Sequence, residues 1–257
     1  MRRGKLRVAI FAGLLGLLMP LALHAEESLF LAATVDGGYR FVRPRLSVGW
    51  GVPFAEWLGV DVNPFLSGNA LGGYVGVRFA SPYVNVRSGI SRVYSLNRSF
   101  LPITDSYNRE LAELRFDDDR ARYWAFRSEL TLRIPLFGGR LISETESIGI
   151  RGTPEDRYVF VQLAGVVSGG SWLLRERLSY SYPVESVSGL AVGVSGEVVV
   201  LPERRERVWR AGVRARWQLW DNLGLRLTAL PTISGPDRIG LVGGEFELGV
   251  RWFWHSK

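Results

Sequence analysis

Alternation of apolar and polar residues recurs along most of this chain and limits the possible folds more than any other feature. In the segment 208–220, one set of alternate residues is apolar: Trp209, Ala211, Val213, Ala215 and Trp217. The other set carries three arginines: Arg210, Arg214 and Arg216. Because successive side chains of a β-strand point to opposite faces, this pattern predicts a strand with one apolar and one charged face.

Comparable alternation gives thirteen candidate strands, which begin near residues 28, 40, 57, 70, 83, 121, 140, 158, 171, 189, 207, 222 and 241. The weakest is the segment 140–150, RLISETESIGI, because neither set of alternate residues is convincingly apolar. Single-chain barrels of the bacterial outer membrane have an even number of strands. We therefore expect an all-β fold, a transmembrane antiparallel β-barrel of 12 strands, with 10 or 14 as alternatives.

Residues 1–25 have the features of a cleaved secretory signal peptide. A basic start, MRRGKLR, precedes the apolar run 8–23, which is short for a membrane span, and Ala25 ends an acceptable cleavage site. An uncleaved anchor helix is the alternative. Residues 26–257 contain no linker or low-complexity segment, which predicts a single domain. The chain has no cysteine, so disulfides, thiolate metal sites and cysteine catalysis are excluded.

Removal of the signal peptide leaves a chain that is only mildly basic. Residues 1–25 hold four of the 32 Lys and Arg residues and none of the 25 Asp and Glu residues, so the net charge of residues 26–257 is +3. This small excess gives no support to nucleic-acid binding.

An export signal, alternating strands and no further long apolar run together favour the outer membrane as the location. A secreted β-sandwich also alternates, but its solvated face usually carries Lys and Thr rather than Arg, Gly, Glu and Ser. Aromatic residues near the strand ends are typical of membrane interfaces: Trp50, Trp57, Tyr94, Trp124, Trp172, Trp209, Trp220 and Trp254. One long connection, 95–119, among short ones predicts an extracellular loop, in which residues 108–116 could form helical turns.

The end of the last candidate strand carries a further pattern. Glu247, Gly249, Trp252 and Trp254 resemble the C-terminal β-signal of outer-membrane proteins, which the barrel-assembly machinery of that membrane reads. The resemblance implies this machinery as a partner, beside outer-membrane lipid and lipopolysaccharide. Such signals usually end on the aromatic residue, whereas three residues follow Trp254 here. Alternatively, the two tryptophans are interfacial residues only.

Charged residues that alternation places inside the barrel are mostly arginines. The basic ones are Arg45, Arg78, Arg87, Arg127, Arg133, Arg175, Arg177, Arg210, Arg214, Arg216, Arg226 and Arg251. The acidic ones are Asp61, Glu129, Glu197, Glu245 and Glu247, with Glu144 and Glu146 as further candidates. A basic lumen between walls of low dielectric attracts anions. These residues predict a substrate path, in a passive anion-preferring channel for small acidic solutes. Alternatively, an Arg–Glu network fills the lumen and the barrel acts through its extracellular loops.

The expected size and arginine-lined lumen are similar to those of the small 12-stranded porins for acidic oligosaccharides. The resemblance is one of architecture and includes no shared motif, so no residue role is transferred.

Enzymatic and metal chemistry are not expected. Outer-membrane hydrolases depend on a histidine base, and outside the signal peptide the only histidine is His255. No cofactor and no metal site are predicted. The metal alternative is binding of Ca²⁺, or of the divalent ions that bridge lipopolysaccharide, by the run Asp117, Asp118 and Asp119, with Glu110 and Glu113 nearby, although such runs are usually solvated.

Glu176 does not fit the alternation, because it lies between Leu174 and Leu178 on the face that should meet lipid. A carboxylate in mid-membrane lipid is costly. A β-bulge, a position above the apolar band, or a protein contact would each accommodate it, and we expect the position above the band.

Overall fold

The computed structural model is a closed antiparallel β-barrel. It describes residues 28–38, 41–53, 55–108, 120–162, 164–170, 172–237 and 245–255. Within these ranges, no helix has the length and apolar character needed to cross a membrane. The predicted signal peptide, the Asp117–Asp119 run with Glu110 and Glu113, and most of the predicted helical turns lie outside the described residues.

Twelve strands form the barrel wall, and they pair in chain order. Their bounds are β1 Leu29–Gly38, β2 Phe41–Val52, β3 Glu56–Ser67, β4 Ala70–Ala80, β5 Val84–Ser99, β7 Arg120–Leu136, β8 Gly139–Arg151, β11 Trp172–Pro183, β12 Leu190–Leu201, β13 Glu206–Trp220, β14 Leu223–Leu230 and β16 Glu245–His255. Each strand pairs with its neighbours in the wall, and pairing of β16 with β1 closes the ring. The prediction of 12 strands is confirmed.

Four short strands lie outside the twelve-membered ring. Three form a separate sheet: β6 Leu101–Pro102, β9 Arg157–Val161 and β10 Val166–Ser168. The fourth, β15 Thr232–Ser234, pairs with the extracellular end of β13 at Trp209 and Arg210. The thirteenth candidate strand, near residue 158, is therefore β9 and does not belong to the wall.

The doubt about the segment 140–150 was wrong, because this segment is barrel strand β8. Its alternation is weak because the outward face carries small polar residues and half of the inward face carries apolar ones. The outward face carries Ser143, Thr145 and Ser147, while Ile148 and Ile150 point inward and are buried. These isoleucines pack against β9 and β10, so the apolar residues of this half of β8 lie inside the barrel.

Large apolar side chains cover the outside of the barrel. Leu46, Val60, Val77, Phe126 and Val213 are each 44–58% exposed, as expected for a surface that meets lipid. Most of the predicted interfacial aromatics are exposed near strand ends: Trp50, Tyr94, Trp124, Trp172, Trp209, Trp220 and Trp254. This exposed apolar belt with aromatic borders is that of a transmembrane barrel.

Trp57 is the exception among those aromatics. It points inward, is 4% exposed and packs edge-on against Phe30 at a centroid distance of 5.4 Å. The prediction that it lies at the lipid interface is wrong. It stands at the first inward position of β3. Its place near a strand end was therefore not enough to predict that it faces lipid.

The connections differ between the two ends of the barrel. At the end that holds the start of β1 and the end of β16, the turns are short, as between Leu136 and Gly139. At the other end, three connections are long: 100–119, 152–171 and 231–244. The sequence predicted only the first as long. Short periplasmic turns and long extracellular loops are the outer-membrane pattern, so we assign the long connections to the extracellular end.

Glu176 lies in the middle of the lipid-facing belt, not above it as expected. On β11 it stands four residues from Trp172 and four from Tyr180, whose hydroxyl donates a hydrogen bond at the periplasmic turn to the Phe137 carbonyl. At about 3.3 Å per residue and a tilt of about 40°, the ten steps from Trp172 to Tyr182 span roughly 25 Å, the height of the apolar band. Pairing of β11 with both neighbours is continuous through Glu176, so no bulge turns it inward.

Candidate functional site: a charged lumen beneath an inserted hairpin

The connection between β8 and β11 folds back into the barrel as a hairpin of β9 and β10. Val159, Val161 and Val166 of this hairpin are 0–2% exposed. They pack against inward-facing apolar residues of the wall, among them Val93, Tyr123, Ile148, Ile150, Leu173 and Val199. The extracellular half of the lumen therefore has a hydrophobic core, which holds the hairpin against the wall from β5 to β13.

Arg210 fixes the tip of the hairpin. Its Nη1 and Nη2 atoms donate hydrogen bonds to the carbonyl oxygens of Ala164 and Gly165, each at 3.0 Å. Gly165 has φ +63°, a left-handed conformation that glycine adopts without strain. Nη1 of Arg210 also lies 2.7 Å from Oε1 of Glu197. The depth of the hairpin in the lumen is thereby tied to a charged group of the wall.

A cavity of about 510 Å³ remains beside and beneath the hairpin. Gln162, Ala164 and Gly165 of the hairpin tip form part of its wall. It reaches the extracellular ends of β3 and β16 at Ser67 and Phe246, and it extends down to Arg133 and Glu144. The hairpin thus occupies one side of the extracellular half, and the free space lies largely along the opposite side.

Twelve of the predicted lumen residues line this one cavity: Arg45, Arg78, Arg87, Arg127, Glu129, Arg133, Arg175, Arg177, Arg210, Arg226, Glu247 and Arg251. Glu144 and Glu146 also line it. Arg214 and Arg216 face inward on β13 but do not line it, and Glu197 and Asp61 are buried behind it. The side chain of Glu245 lies outside the described part of the chain.

Many of the lumen arginines are held by carboxylates of neighbouring strands. Glu197, 2% exposed, accepts a hydrogen bond from Nε of Arg177 at 2.8 Å as well as that from Arg210. Glu146, also 2% exposed, pairs with Arg127 and, at 2.8 Å, with Nη2 of Arg175. These contacts cross strands, so each buried carboxylate joins parts of the wall.

Two further ion pairs lie on the other side of the lumen. Nη2 of Arg87 is 2.6 Å from Oε2 of Glu129, and Nη1 of Arg78 is 3.4 Å from Oδ2 of the buried Asp61. Both pairs line the cavity or stand directly behind it, and both partners were among the predicted lumen residues. The pairing follows the register between adjacent strands, which alternation alone does not give.

A second group of inward-facing arginines lacks such partners. In the part of the chain that the structure describes, no carboxylate oxygen lies within 4 Å of Arg45, Arg133, Arg216 or Arg226. Nε of Arg45 is buried and donates no hydrogen bond to the described residues. Arg45 and Arg226 stand on β2 and β14, on the side of the lumen that the hairpin leaves free. Their positive charge faces the cavity uncompensated by a direct ion pair.

Sequence reasoning missed Asp36 and Arg43. Asp36 is 3% exposed and accepts hydrogen bonds from Nε and, at 2.7 Å, from Nη2 of Arg251. Arg43 lines the cavity, with its Nε 3.9 Å from Asp36. The segment around Asp36 gave an ambiguous alternation. Arg43 lies in the candidate strand that begins near residue 40 and shares its parity with Arg45, so alternation alone could have found it.

No protein-family model and no curated protein matches this chain. Among solved structures, the KdgM porin in complex with disordered oligogalacturonate is similar, with TM-score 0.44 and 9% identity over 87% of this chain and 98% of that one. The NanC porin has TM-score 0.39 and 11% identity over 89% and 98%. An outer-membrane channel from Pseudomonas putida F1 has TM-score 0.46 and 11% identity over 91% and 97%. The similarity is one of overall barrel architecture.

At the extracellular mouth, Arg204 connects all three long loops. From the turn between β12 and β13, its guanidinium contacts Oδ2 of Asp237 at 2.6 Å and Oδ1 at 2.9 Å. It also donates to the carbonyl oxygens of Asp105 at 2.9 Å and Val167 at 3.3 Å. Tyr107 lies under the same guanidinium, 5.3 Å away. We call Arg204 with these contacts the loop clasp.

The ionisation of the loop clasp favours a permanent charge. Burial alone would lower the pKa of Arg204, but its hydrogen bonds to Asp237 and the charges of Asp237 and Glu206 raise it above its ordinary value. Burial raises the pKa of Tyr107, whose hydroxyl donates to the carbonyl of Pro102. Both groups therefore keep their protonated forms at neutral pH.

We expect Arg204→Gln to loosen the extracellular loops. Charged hydrogen bonds contribute about 1.5–3 kcal/mol each, and even 1.4 kcal/mol changes an opening equilibrium about tenfold. Limited proteolysis of the folded protein in vesicles should show loop cleavage at least about ten times faster than in the unchanged protein. The adjacent exposed Arg205→Gln serves as the matched control. Equal cleavage rates for the two variants would show that the loop clasp does not hold the loops.

In the described residues, no group of three His, Asp or Glu side chains is placed to bind a metal ion. His255 is exposed at the periplasmic end of β16. The chemistry available at the cavity is that of guanidinium and carboxylate groups, with a few hydroxyls and amides. These groups can bind and orient charged solutes through ion pairs and hydrogen bonds.

Proposed function

We propose that the protein is a passive outer-membrane channel that prefers anions. The observation that carries this proposal is the set of inward-facing arginines without a carboxylate partner among the described residues, above all Arg45 and Arg226 at the cavity. Charges between low-dielectric walls act on ions in the pore much more strongly than the same charges in bulk water. The lumen therefore raises the local concentration of anions and repels cations.

Free volume supports a channel over a filled barrel. A lumen filled by an Arg–Glu network alone would leave no space of solute size, whereas about 510 Å³ is free beside the hairpin. That is within the range of pockets for small molecules. The ion pairs of Glu197 and Glu146 then hold the wall and the hairpin, and the unpaired arginines act on the solute.

Small carboxylated solutes are the class that the lumen fits best. The guanidinium of arginine presents parallel N–H groups that match the two oxygens of a carboxylate. Several arginines at different depths offer successive sites of moderate strength. Conduction needs such multiple weak sites, because a solute must leave as readily as it enters.

Single-channel recording in planar bilayers tests this proposal. Under a salt gradient the unchanged protein should give discrete conductance steps and a reversal potential of the sign for anion preference. The double variant Arg45→Gln and Arg226→Gln should retain the steps but lose most of the preference. A second double variant, Arg205→Gln and Arg207→Gln, removes two exposed charges outside the lumen and should leave the reversal potential unchanged.

Two results would contradict the proposal. A correctly folded protein without conductance steps would favour the filled barrel. Cation preference, or equal reversal potentials for the unchanged protein and the Arg45/Arg226 variant, would mean that the unpaired arginines do not act on the permeating ion. Folding of each variant is checked by the mobility shift of unheated barrels in electrophoresis.

We also infer that the barrel-assembly machinery recognises the last strand. Glu247, Gly249, Trp252 and Trp254 all lie on β16, which closes the barrel between β14 and β1. The two tryptophans are 39% and 45% exposed on the outside, where another protein can reach them. Their spacing by two places both on one face. The interfacial role of these tryptophans is compatible with recognition during assembly.

A further inference from the structure

Four arginines form a cluster on the outside of the barrel at its extracellular end. They are Arg92 of β5, Arg120 and Arg122 of β7, and Arg151 of β8. In the strand register, Arg92 pairs with Trp124 and Trp124 pairs with Arg151, while Arg122 pairs with Tyr94. Trp124 is 41% and Tyr94 is 36% exposed on the lipid-facing side. Directly paired residues share a face, so Arg92, Arg122 and Arg151 face outward too. Arg120 stands two residues before Arg122 on β7, and its side chain is exposed.

The contacts of Arg92 with two aromatic rings place the cluster at the membrane interface. The guanidinium of Arg92 lies 4.7 Å from the ring of Trp124 and 5.3 Å from the ring of Tyr94. Tryptophan and tyrosine prefer the level of lipid headgroups. The aromatic contacts keep Arg92 in place and leave the edge of its guanidinium free to donate hydrogen bonds.

The cluster is not neutralised by the rest of the described chain. Within the described ranges, no carboxylate oxygen lies within 4 Å of Arg92, Arg120, Arg122 or Arg151. In the lumen, by contrast, Glu146 and Glu197 each pair with at least two arginines. Among the described residues, four arginines on three adjacent strands therefore give this surface an excess of positive charge. An anionic group at this level of the membrane is the complementary ligand.

Beneath Arg151, the next four outward positions of β8 have small side chains. Ser143, Thr145, Ser147 and Gly149 follow one another there. The flanking strands carry larger outward residues at most of the paired positions: Phe126, Leu130 and Leu132 on β7, and Trp172, Leu174 and Leu178 on β11. Ser128 on β7 and Glu176 on β11 are the polar exceptions, paired with Ser147 and Thr145. The result is a shallow track along β8, which begins at the arginine cluster and continues into the apolar belt.

We propose that this surface binds a phosphorylated glycolipid of the outer leaflet. Its phosphate oxygens accept hydrogen bonds from Arg92, Arg122 and Arg151, and its acyl chains lie along the track on β8. Arginine clusters beside a membrane bind phosphorylated headgroups by charge and by bidentate hydrogen bonds. The continuity of the charged cluster with the lipid-facing track selects a lipid over a soluble phosphate compound. This site is separate from the lumen and does not depend on channel function.

Titration of the folded protein in detergent with bisphosphorylated lipid A tests the site. The buffer contains EDTA, so that divalent ions do not bridge the phosphates to acidic residues. Each arginine beside a charged lipid surface contributes about a fivefold factor in affinity. The triple variant Arg92→Gln, Arg122→Gln and Arg151→Gln should therefore bind about a hundredfold more weakly. The single variant Arg122→Gln, which leaves the contacts of Arg92 intact, should bind about fivefold more weakly.

Matched controls separate this site from general electrostatics. The triple variant Arg140→Gln, Arg205→Gln and Arg207→Gln removes the same charge at exposed positions elsewhere and should bind like the unchanged protein. Lipid A without phosphates should bind weakly to every variant, and inorganic phosphate alone should bind weakly to all of them. Equal affinities for the two triple variants, or equal binding of phosphorylated and dephosphorylated lipid A, would overturn the proposal. Equally tight binding of inorganic phosphate would replace a lipid site by an anion site.

Discussion

Replacement of Glu197 by glutamine should lower the free energy of unfolding of the barrel by about 3–5 kcal/mol. The carboxylate is buried and accepts hydrogen bonds from Arg177 and Arg210, and Nε of Arg175 lies 4.0 Å away. Loss of its charge removes a buried carboxylate that compensates several guanidinium groups at once, and removing one partner is the costly way to break a buried ion pair. It also removes the contact between Glu197 and Arg210, and Arg210 holds the hairpin tip. Equilibrium unfolding by urea in lipid vesicles, followed by tryptophan fluorescence, measures the change.

Two further variants make this prediction specific. Glu203→Gln is the matched control, because Glu203 is exposed in the turn after β12, and its stability should change by less than about 0.5 kcal/mol. The double variant Glu197→Gln with Arg177→Gln also removes one of the positive charges that Glu197 compensated. It should recover part of the lost free energy of unfolding. A loss below about 1 kcal/mol for Glu197→Gln alone would show that water in the lumen compensates these arginines.

Removal of the hairpin should raise the single-channel conductance severalfold. Replacing residues 157–168 by a short glycine-serine linker empties the side of the extracellular half that β9 and β10 now fill. The arginines of the wall remain, so the sign of the ion preference should persist. Apolar wall residues such as Ile148 and Ile150 become exposed to water in the lumen, so the barrel should also unfold at lower urea concentration. Planar-bilayer recording and urea unfolding measure the two effects.

A second variant tests whether the hairpin acts by its position. The triple change Val159→Ser, Val161→Ser and Val166→Ser keeps the length of the connection but removes the side chains that pack against the wall. We expect a channel that fluctuates between the conductance of the unchanged protein and that of the deletion. If the deletion leaves the conductance unchanged, the narrowest part of the pore lies elsewhere, below the hairpin.

The wall strands could be predicted from sequence where each face of the strand meets one kind of environment along its whole length. On β13, one face meets lipid and the other a charged lumen, so apolar residues alternate with arginines from Trp209 to Trp217, with Gly212 as the one exception on the lumen face. On β8 the inner face packs against the hairpin in its extracellular half. Ile148 and Ile150 are therefore buried inside, while the outward serines leave that face without an apolar pattern. The strand was doubted because alternation assumes a polar interior along its whole length.

The lumen residues could be found from parity, but their interactions could not. Alternation gave the inward direction of Arg177, Arg210 and Glu197. Their pairing depends on the register of β11, β12 and β13, which a one-residue shift would change completely. The hairpin was missed for another reason. The segment near 158 has a regular strand pattern, and a strand that packs inside the barrel is as apolar on one face as a strand that meets lipid.

The ion pair between Asp36 and Arg251 connects residues that are 215 positions apart in the chain. It lies where the first and last strands of the wall meet. Before β16 is in place, β1 and β14 each have an edge of unpaired backbone groups, and lipid offers these groups no hydrogen bonds. Partly closed rings are therefore poor resting states, and the membrane-inserted barrel forms in an essentially all-or-none step. Truncation before residue 245 yields a chain with two open edges, not a smaller barrel.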